Sequence, residues 1–576
     1  MGGRVDRETH EDVPEHSGQT QKGENTVQKT RKFGLGLSLL VAASLVLSAC
    51  GPKQATPAPG TDTKTPATQA EKKPAVGGEI ILALDQDPDN FNPILSSSSY
   101  GSQVHGQVYA SLFEFNTKWE ATPYVAESWS ATPDGLTWTI KVKQGIKFHD
   151  GSDLTAEDFV FTYSSIMSKD YTGPRAANVK YIKALSAPDK YTIKVELKEP
   201  YAPILQDLNL GILSKKLFEA TPVKEFDKNP VTMKPVGAGP YKFVEYVRGQ
   251  FVTLERNENW FMSQQHGGAP FIKTVRMKVI PESATRQAAL ENGELDWLLP
   301  DAKDVTRLQT DFKDKFTFLD YERNGWGYMT LNVTRPHLDN KLVRQALDTG
   351  LDKKSIITGL MDGRAVIPTG PIPNVSWAAD PSMKARAYDV AAAKKLLEQA
   401  GYKLNAKGIY EKDGKELKLG FYASSGSALI EGIAAIAKKN WKDIGVDLDV
   451  QLMDFNALTD NYMKPGKFDI SFSGFSLGLD PNQMTLFHSS QVNGFNRGRY
   501  NNPAVDKLLE DGVKETDPAK RKAIYSQYQK TLVDDAPVIL VYANLYTQVV
   551  TKKVKGVVNF PGSGAAFMYR WYVNEQ

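Results

Sequence analysis

A chain of 576 residues is long enough for several compact units, since a single core rarely grows beyond about 250–300 residues. Its hydrophobic content of 41% and aromatic content of 10% are those of a globular protein, and a mean hydropathy of -0.39 excludes a polytopic membrane protein. A net charge of +3 gives little general attraction to nucleic acid, and a single cysteine excludes an internal disulfide or a multi-cysteine metal site.

The first interpretable segment is "VQKTRKFGLGLSLLVAASLVLSAC", residues 27–50. Lys29, Arg31 and Lys32 precede an apolar run over 33–47, which ends in Ser48 and Ala49. That order of charge, apolar run and small residues is a secretory signal, and the run is too short for an ordinary spanning helix. A lone cysteine is usually a buried core thiol, but Cys50 stands where the signal would be cut. "LSAC" resembles the bacterial lipobox, which implies a Cys50 that carries acyl chains, palmitate among them, as the first residue of the mature protein. Residues 1–26 are polar without apolar periodicity, and they fit an untranslated stretch before a start at Val27 better than a cytoplasmic extension. Residues 50–77 are rich in Pro, Thr, Ala and Lys without an aromatic residue, the composition of a flexible tether. The folded body is expected from Gly78.

Within the body, branched residues predict a strand at 78–85, and Val104, Val108, Leu112 and Phe115 at helical spacing predict a helix over 103–115. Alternation predicts strands at 136–143 and 190–197, and Thr155 with Asp158 opens a helix over 155–167 as a capping box. Further strands are expected at 241–246, 251–256, 275–280, 328–333, 417–422, 446–453, 468–473 and 538–542. Helices are expected at 283–291, 340–350, 353–359, 389–400, 428–443, 503–513 and 517–532. Mixed strands and helices without a short repeat indicate an α/β fold.

Enzyme signals are weak. "GFSLG" (474–478) matches a nucleophile elbow at Ser476, but Gly478 and Pro481 interrupt the helix it needs, and His488 is the only later histidine. The seven histidines include no H-E-x-x-H or comparable local pair, and no phosphate-binding glycine loop follows a strand. The expectation is a non-enzymatic protein with no cofactor and no metal.

Six motifs then occur in order. "VAESWSATPDGLTWTIKVKQGIKFHDGSDLTAEDFVFTY" (125–163) is followed by "VGAGPYKFVEY" (236–246), "ALENGELDWL" (289–298), "LNVTRPHLDNKLVRQALDTGLDKKSII" (331–357), "YDVAAAKKLLEQAGY" (388–402) and "YNNPAVDKLL" (500–509). Together they resemble the family 5 extracellular solute-binding proteins, the oligopeptide- and dipeptide-binding receptors of ABC importers. The resemblance implies a two-lobed α/β fold of the periplasmic-binding-protein type II class, with an extra domain inserted in the first lobe. Transferred in order, lobe I is 78–118, 235–324 and 541–576, the extra domain 119–234, and lobe II 325–540. The implied ligand is a peptide, and the implied partners are a membrane permease and its ATPase. Lipid attachment would hold the protein, as a monomer, on the outer face of the cell membrane. An oligosaccharide or a metal chelate is the alternative ligand, and a surface hydrolase the alternative of another class.

For the site, the resemblance points to Trp326 and Tyr328 at the crossing between lobes, and to Tyr100 and Tyr109 in the first-lobe segment that enters the cleft. Ordinary core packing is the other reading of the aromatic residues. Phe475 marks a strand end before a loop whose Asp480 would pair with a peptide amino terminus. The acid stands five positions after the aromatic, whereas the best-known members have it at three, here Gly478. Asp480 could equally cap a helix with Pro481 at its first position. No arginine for the peptide carboxylate stands out.

Overall fold

The strand Gly77–Leu84 alternates so that Ile80, Leu82 and Leu84 are buried, and it runs parallel to Ile272–Val279. These residues belong to a computed structural model that describes positions 73–492, 494–560 and 565–575. The segments 1–26 and 27–49, Cys50 and most of the tether lie outside the described residues. Backbone pairing begins slightly before the expected start of the body, where Pro74–Ala75 joins Asn574–Glu575 in an antiparallel ladder.

Ten strands follow one another in a single sheet: Asp447–Met453, Lys418–Ser424, Ile470–Ser476, Gly325–Leu331, Val538–Thr551, Trp297–Leu298, Gly77–Leu84, Ile272–Val279, Phe251–Arg256 and Tyr241–Val247. Phe316–Glu322 and Ala365–Val366 also pair with Val538–Thr551. The sheet is continuous, but its cores are not. Two clusters draw on residues 80–316 and 549–571, and three others lie within 326–542. The chain therefore forms two lobes.

Val538–Thr551 joins them, being longer than the strand expected over 538–542. Its first part pairs with Gly325–Leu331, and its second with Phe316–Glu322. Partner exchange occurs at Arg323–Asn324, where Arg323 N–H donates to Asn544 O at 2.8 Å. The glycines here are steric requirements. A Cβ on Gly325, at φ +153°, would stand 2.1 Å from Phe475 O, and one on Gly327 would stand 2.5 Å from the Tyr542 ring.

The extra domain is a four-stranded antiparallel sheet, ordered Ala126–Ala131, Thr137–Val142, Thr192–Leu197, Ile182–Asp189. The helix Ala156–Met167 packs on it through Phe159, Tyr163 and Ile166. Its expected capping box forms, with the Asp158 carboxylate accepting from Thr155 N–H at 2.8 Å. Asp158 also accepts from Lys215 N–H at 2.9 Å, which ties the helix start to a distant segment. In lobe II, the helix Ala428–Asp443 starts on Ser427 and buries Ile433, Ala434, Ala437 and Trp441 on one stripe.

The helix expected over 103–115 is shorter. It spans Ser99–Val108, and Phe113–Phe115 is a strand. The apolar spacing is helical, but tertiary bonds capture the backbone beyond Val108. Gly239 N–H donates to Val108 O at 2.8 Å, Ile212 N–H to Ala110 O at 2.9 Å, and Phe113 N–H to Asn209 Oδ1 at 2.9 Å. Gly237 and Gly239 permit this approach, since a Cβ on either would meet the backbone of residues 107–109 at 2.1–2.5 Å.

Gly325→Ala should cost about 1–3 kcal/mol through overpacking against the Phe475 carbonyl. Gly474→Ala in the same ladder, where a Cβ would meet nothing within 4 Å, should leave the thermal midpoint near wild type. Equal midpoints for the two variants would refute the close-approach account of the crossing.

Candidate ligand cleft

The shortened helix and the captured segment after it make one wall of a cavity of about 1090 Å³. Ser98 starts the helix by accepting from Tyr100 N–H at 3.1 Å, which sets Tyr100 on the first turn. Further walls come from Trp297–Val305, from Tyr321 and Leu545–Thr547 of the crossing strands, and from Phe560 and 565–569 near the C-terminus. The cleft thus gathers segments from the first lobe, the hinge and the chain end.

Tyr100 and Tyr109 both line it. Tyr109 is 4% exposed, and its hydroxyl has no hydrogen-bond partner among the described residues. Burial pushes that hydroxyl's pKa up, so it stays a neutral donor. Between Phe113 and Phe115 stands Glu114, whose two carboxylate oxygens each accept from Tyr569 Oη at 2.9 Å. Burial raises the Glu114 carboxyl, while Tyr569, Arg570 and Lys143 oppose the shift. Trp297 is fixed by its indole N–H donating to Gln548 Oε1 at 3.0 Å. Sequence reading missed Glu114, Trp297, Tyr321, Tyr546 and Tyr569. For Glu114 the available signal was an acid set between two phenylalanines; the others carry no local signature.

Trp326 and Tyr328 are placed elsewhere. They are 3% and 8% exposed, stack edge to face at 4.7 Å, and belong to a lobe II core with Ile372, Leu486, Tyr525 and Tyr528. The Trp326 N–H donates to Pro371 O at 3.0 Å. Neither residue lines the large cavity. The physical reason is that Gly325–Leu331 is a central strand, covered on both faces. Phe475 packs against this core, tilted to Trp326 at 6.5 Å.

Asp480 sits where the extra domain meets lobe II, in a second cavity of about 330 Å³ lined by Trp119, Trp129, Trp138 and Trp377. Its carboxylate holds Arg521 in two contacts, Nη1 at 2.7 Å and Nη2 at 2.9 Å, with both side chains largely buried. Asp480 also accepts from Asn482 N–H at 3.0 Å, an Asx turn, and no helix starts at Pro481. The carboxylate is thus committed to an internal guanidinium. Across the interface, Asp480 N–H donates to Gln206 Oε1 at 2.9 Å, and Ala202 N–H to Val513 O at 2.7 Å. Asp207 lies at this junction. Burial, then the charge of Asp480, push its carboxyl up to about 7, against an opposing hydrogen bond from Tyr201.

Residues 120–496 match the model of the bacterial extracellular solute-binding proteins, family 5. The oligopeptide-binding protein AppA of Bacillus subtilis is 30% identical over 559 residues, covering 95% of this chain and 99% of its own. The solved structure of AppA from Bacillus subtilis, in complex with a nonapeptide, has a TM-score of 0.61 at 29% identity, covering 87% of this chain and 100% of its own. NikZ from Campylobacter jejuni, in complex with Ni(L-His), has a TM-score of 0.62 at 26% identity, covering 86% and 99%. The two-lobed α/β architecture with its extra domain is therefore the type II binding-protein fold.

The junction at Asp207 carries a pH dependence of known sign. With the folded-state carboxyl raised to about 7, stability is greatest below the ordinary carboxylate range of about 4, falls as pH rises from there through about 7, and levels off above it. Asp207→Asn, neutral throughout, should gain thermal midpoint over wild type as pH is taken from about 5.5 to about 8.5. A midpoint difference that stays constant across that range would contradict the buried, charge-repelled acid.

Proposed function

The chain belongs to the bacterial extracellular solute-binding proteins, family 5, and we propose that it captures peptides outside the cell and hands them to an ABC permease driven by its ATPase. The observation that carries this reading is the aromatic-walled cleft of about 1090 Å³, larger than the clefts of ~300–1,000 Å³ that hold drug-sized molecules. Its lining joins first-lobe segments and the crossing strands to Leu479 of lobe II, so a ligand there can touch both lobes and the hinge. Such a ligand favours closure by its differential contacts with the closed form. The relative solved with a nonapeptide supports a peptide as ligand.

The protein performs no covalent chemistry in this reading. Ser476 ends its strand without a following helix, and its hydroxyl contacts Arg323; His488 is occupied with Ser490 and Glu510. Acyl chains on Cys50 anchor the protein at the outer face of the membrane, each buried methylene contributing about 0.8 kcal/mol. Among the described residues no helix is long and apolar enough to cross a membrane. Tyr100 and Tyr109 are the proposed ligand contacts from the first lobe. A chelated metal is the second reading, favoured by the relative holding Ni(L-His). Among the described residues no cluster of His, Cys, Asp and Glu could hold a bare ion, so a metal would have to arrive with its own ligands.

Native mass spectrometry of the purified protein, followed by denaturation and identification of what is released, tests this reading. Short peptides are the expected release. A glycan or a metal complex would overturn it.

A further inference from the structure

Across the chain, 70 Lys and Arg nearly balance 67 Asp and Glu, so an average surface would show both signs. The large cleft does not. Asp85, Glu114 and Asp301 line it, and among the described residues no Lys, Arg or His does. The bases behind the walls offset only part of this imbalance. Arg286 Nε lies 3.3 Å from Asp85 Oδ1 and balances that one charge. Arg364 is held by Asp320 at 2.6 Å. Asp301 accepts from the Ser283 hydroxyl at 2.8 Å, a neutral donor.

Glu114 is the decisive group. It receives the Tyr569 hydroxyl, also neutral. Of the two bases that influence it, the Arg570 guanidinium lies over the Phe567 and Tyr569 rings, and Lys143 Nζ is turned to Tyr124 O at 2.6 Å. Among the described residues neither forms an ion pair with Glu114. A half-buried carboxylate without a paired cation carries a desolvation cost, and its raised pKa reflects that cost. A bound cation would remove it. Tyr124, whose ring carries no guanidinium or ammonium contact among the described residues, also lines the cleft, and an aromatic face attracts cations further. An anionic side chain would meet Glu114 and Asp301, neither ion-paired among the described residues, and no base in the lining.

We propose that the cleft selects peptides with basic side chains, Glu114 acting as their principal counter-charge. This rests on the peptide reading above.

Calorimetric titration of the full chain tests it with alanine-based tetra- and nonapeptides carrying two internal lysines, two internal glutamates, or neither. Lysine peptides should bind about tenfold more tightly than neutral ones, the scale of a charge-assisted hydrogen bond, and glutamate peptides more weakly. Glu114→Gln should reduce the lysine advantage to about twofold, with neutral peptides little changed. Equal affinities across the three charges, or a preference for glutamate, would overturn the inference while leaving the peptide reading intact. An undiminished lysine advantage in Glu114→Gln would overturn the assignment to Glu114. If no peptide of any charge binds, the peptide reading fails and the inference with it. Should the variant not fold by circular dichroism, the wild-type ranking decides the charge preference alone.

Discussion

The strand Val538–Thr551 is hydrogen-bonded to both halves of the molecule, and no buried core crosses the point where it changes partners. Cohesion between the lobes at the hinge therefore comes from backbone ladders. Ladders resist sliding and stretching, but they leave twisting about the crossing comparatively free, because no packed side chains must be unmade. The glycines at 325 and 327 follow from the same constraint, since two strands and an aromatic ring converge where a side chain would collide. Tyr321 and Leu545–Thr547 stand on these strands and also line the cleft. Ligand contact and hinge geometry thus share the same few residues.

A second contact between the lobes lies away from the hinge, where Gln206 and Ala202 of the extra domain meet Asp480 and Val513. Asp480 and Arg521 form a buried ion pair there, with the guanidinium also over Trp377 and Tyr525. A pair of this kind contributes little net stability but is costly to break on one side. Its role is to fix the loop that carries Leu479, a residue in the walls of both cavities. Asp480 is thus engaged in positioning a loop, and Glu114 is the half-buried acid in the cleft lining that no cation pairs among the described residues.

Much of the fold was legible in the sequence because local pattern and tertiary context agree. Alternation in "LTWTIKVK" gave the strand Thr137–Val142, and the apolar stripe of 428–443 gave its helix to the residue. Legibility failed where partners distant in sequence decide. Val104 to Phe115 has helical spacing, yet Gly237, Gly239 and Asn209 draw the second half into extended backbone. The far half of Val538–Thr551 carries Asn544, Thr547 and Gln548, which read as a strand end. Thr547 donates to Asp320 and Gln548 Oε1 accepts from Trp297, partners more than 200 residues away that the local sequence does not show. The site follows the same rule. Tyr100 and Tyr109 came through family resemblance, whereas Glu114 and its partner Tyr569 are 455 residues apart.

In the proposed function, two separately packed lobes move on a two-strand crossing when ligand fills the space between them. Small-angle X-ray scattering of the protein alone, and saturated with the ligand it releases on denaturation, tests that claim most directly. The account predicts a smaller radius of gyration with ligand bound. An unchanged scattering curve at saturation would contradict it.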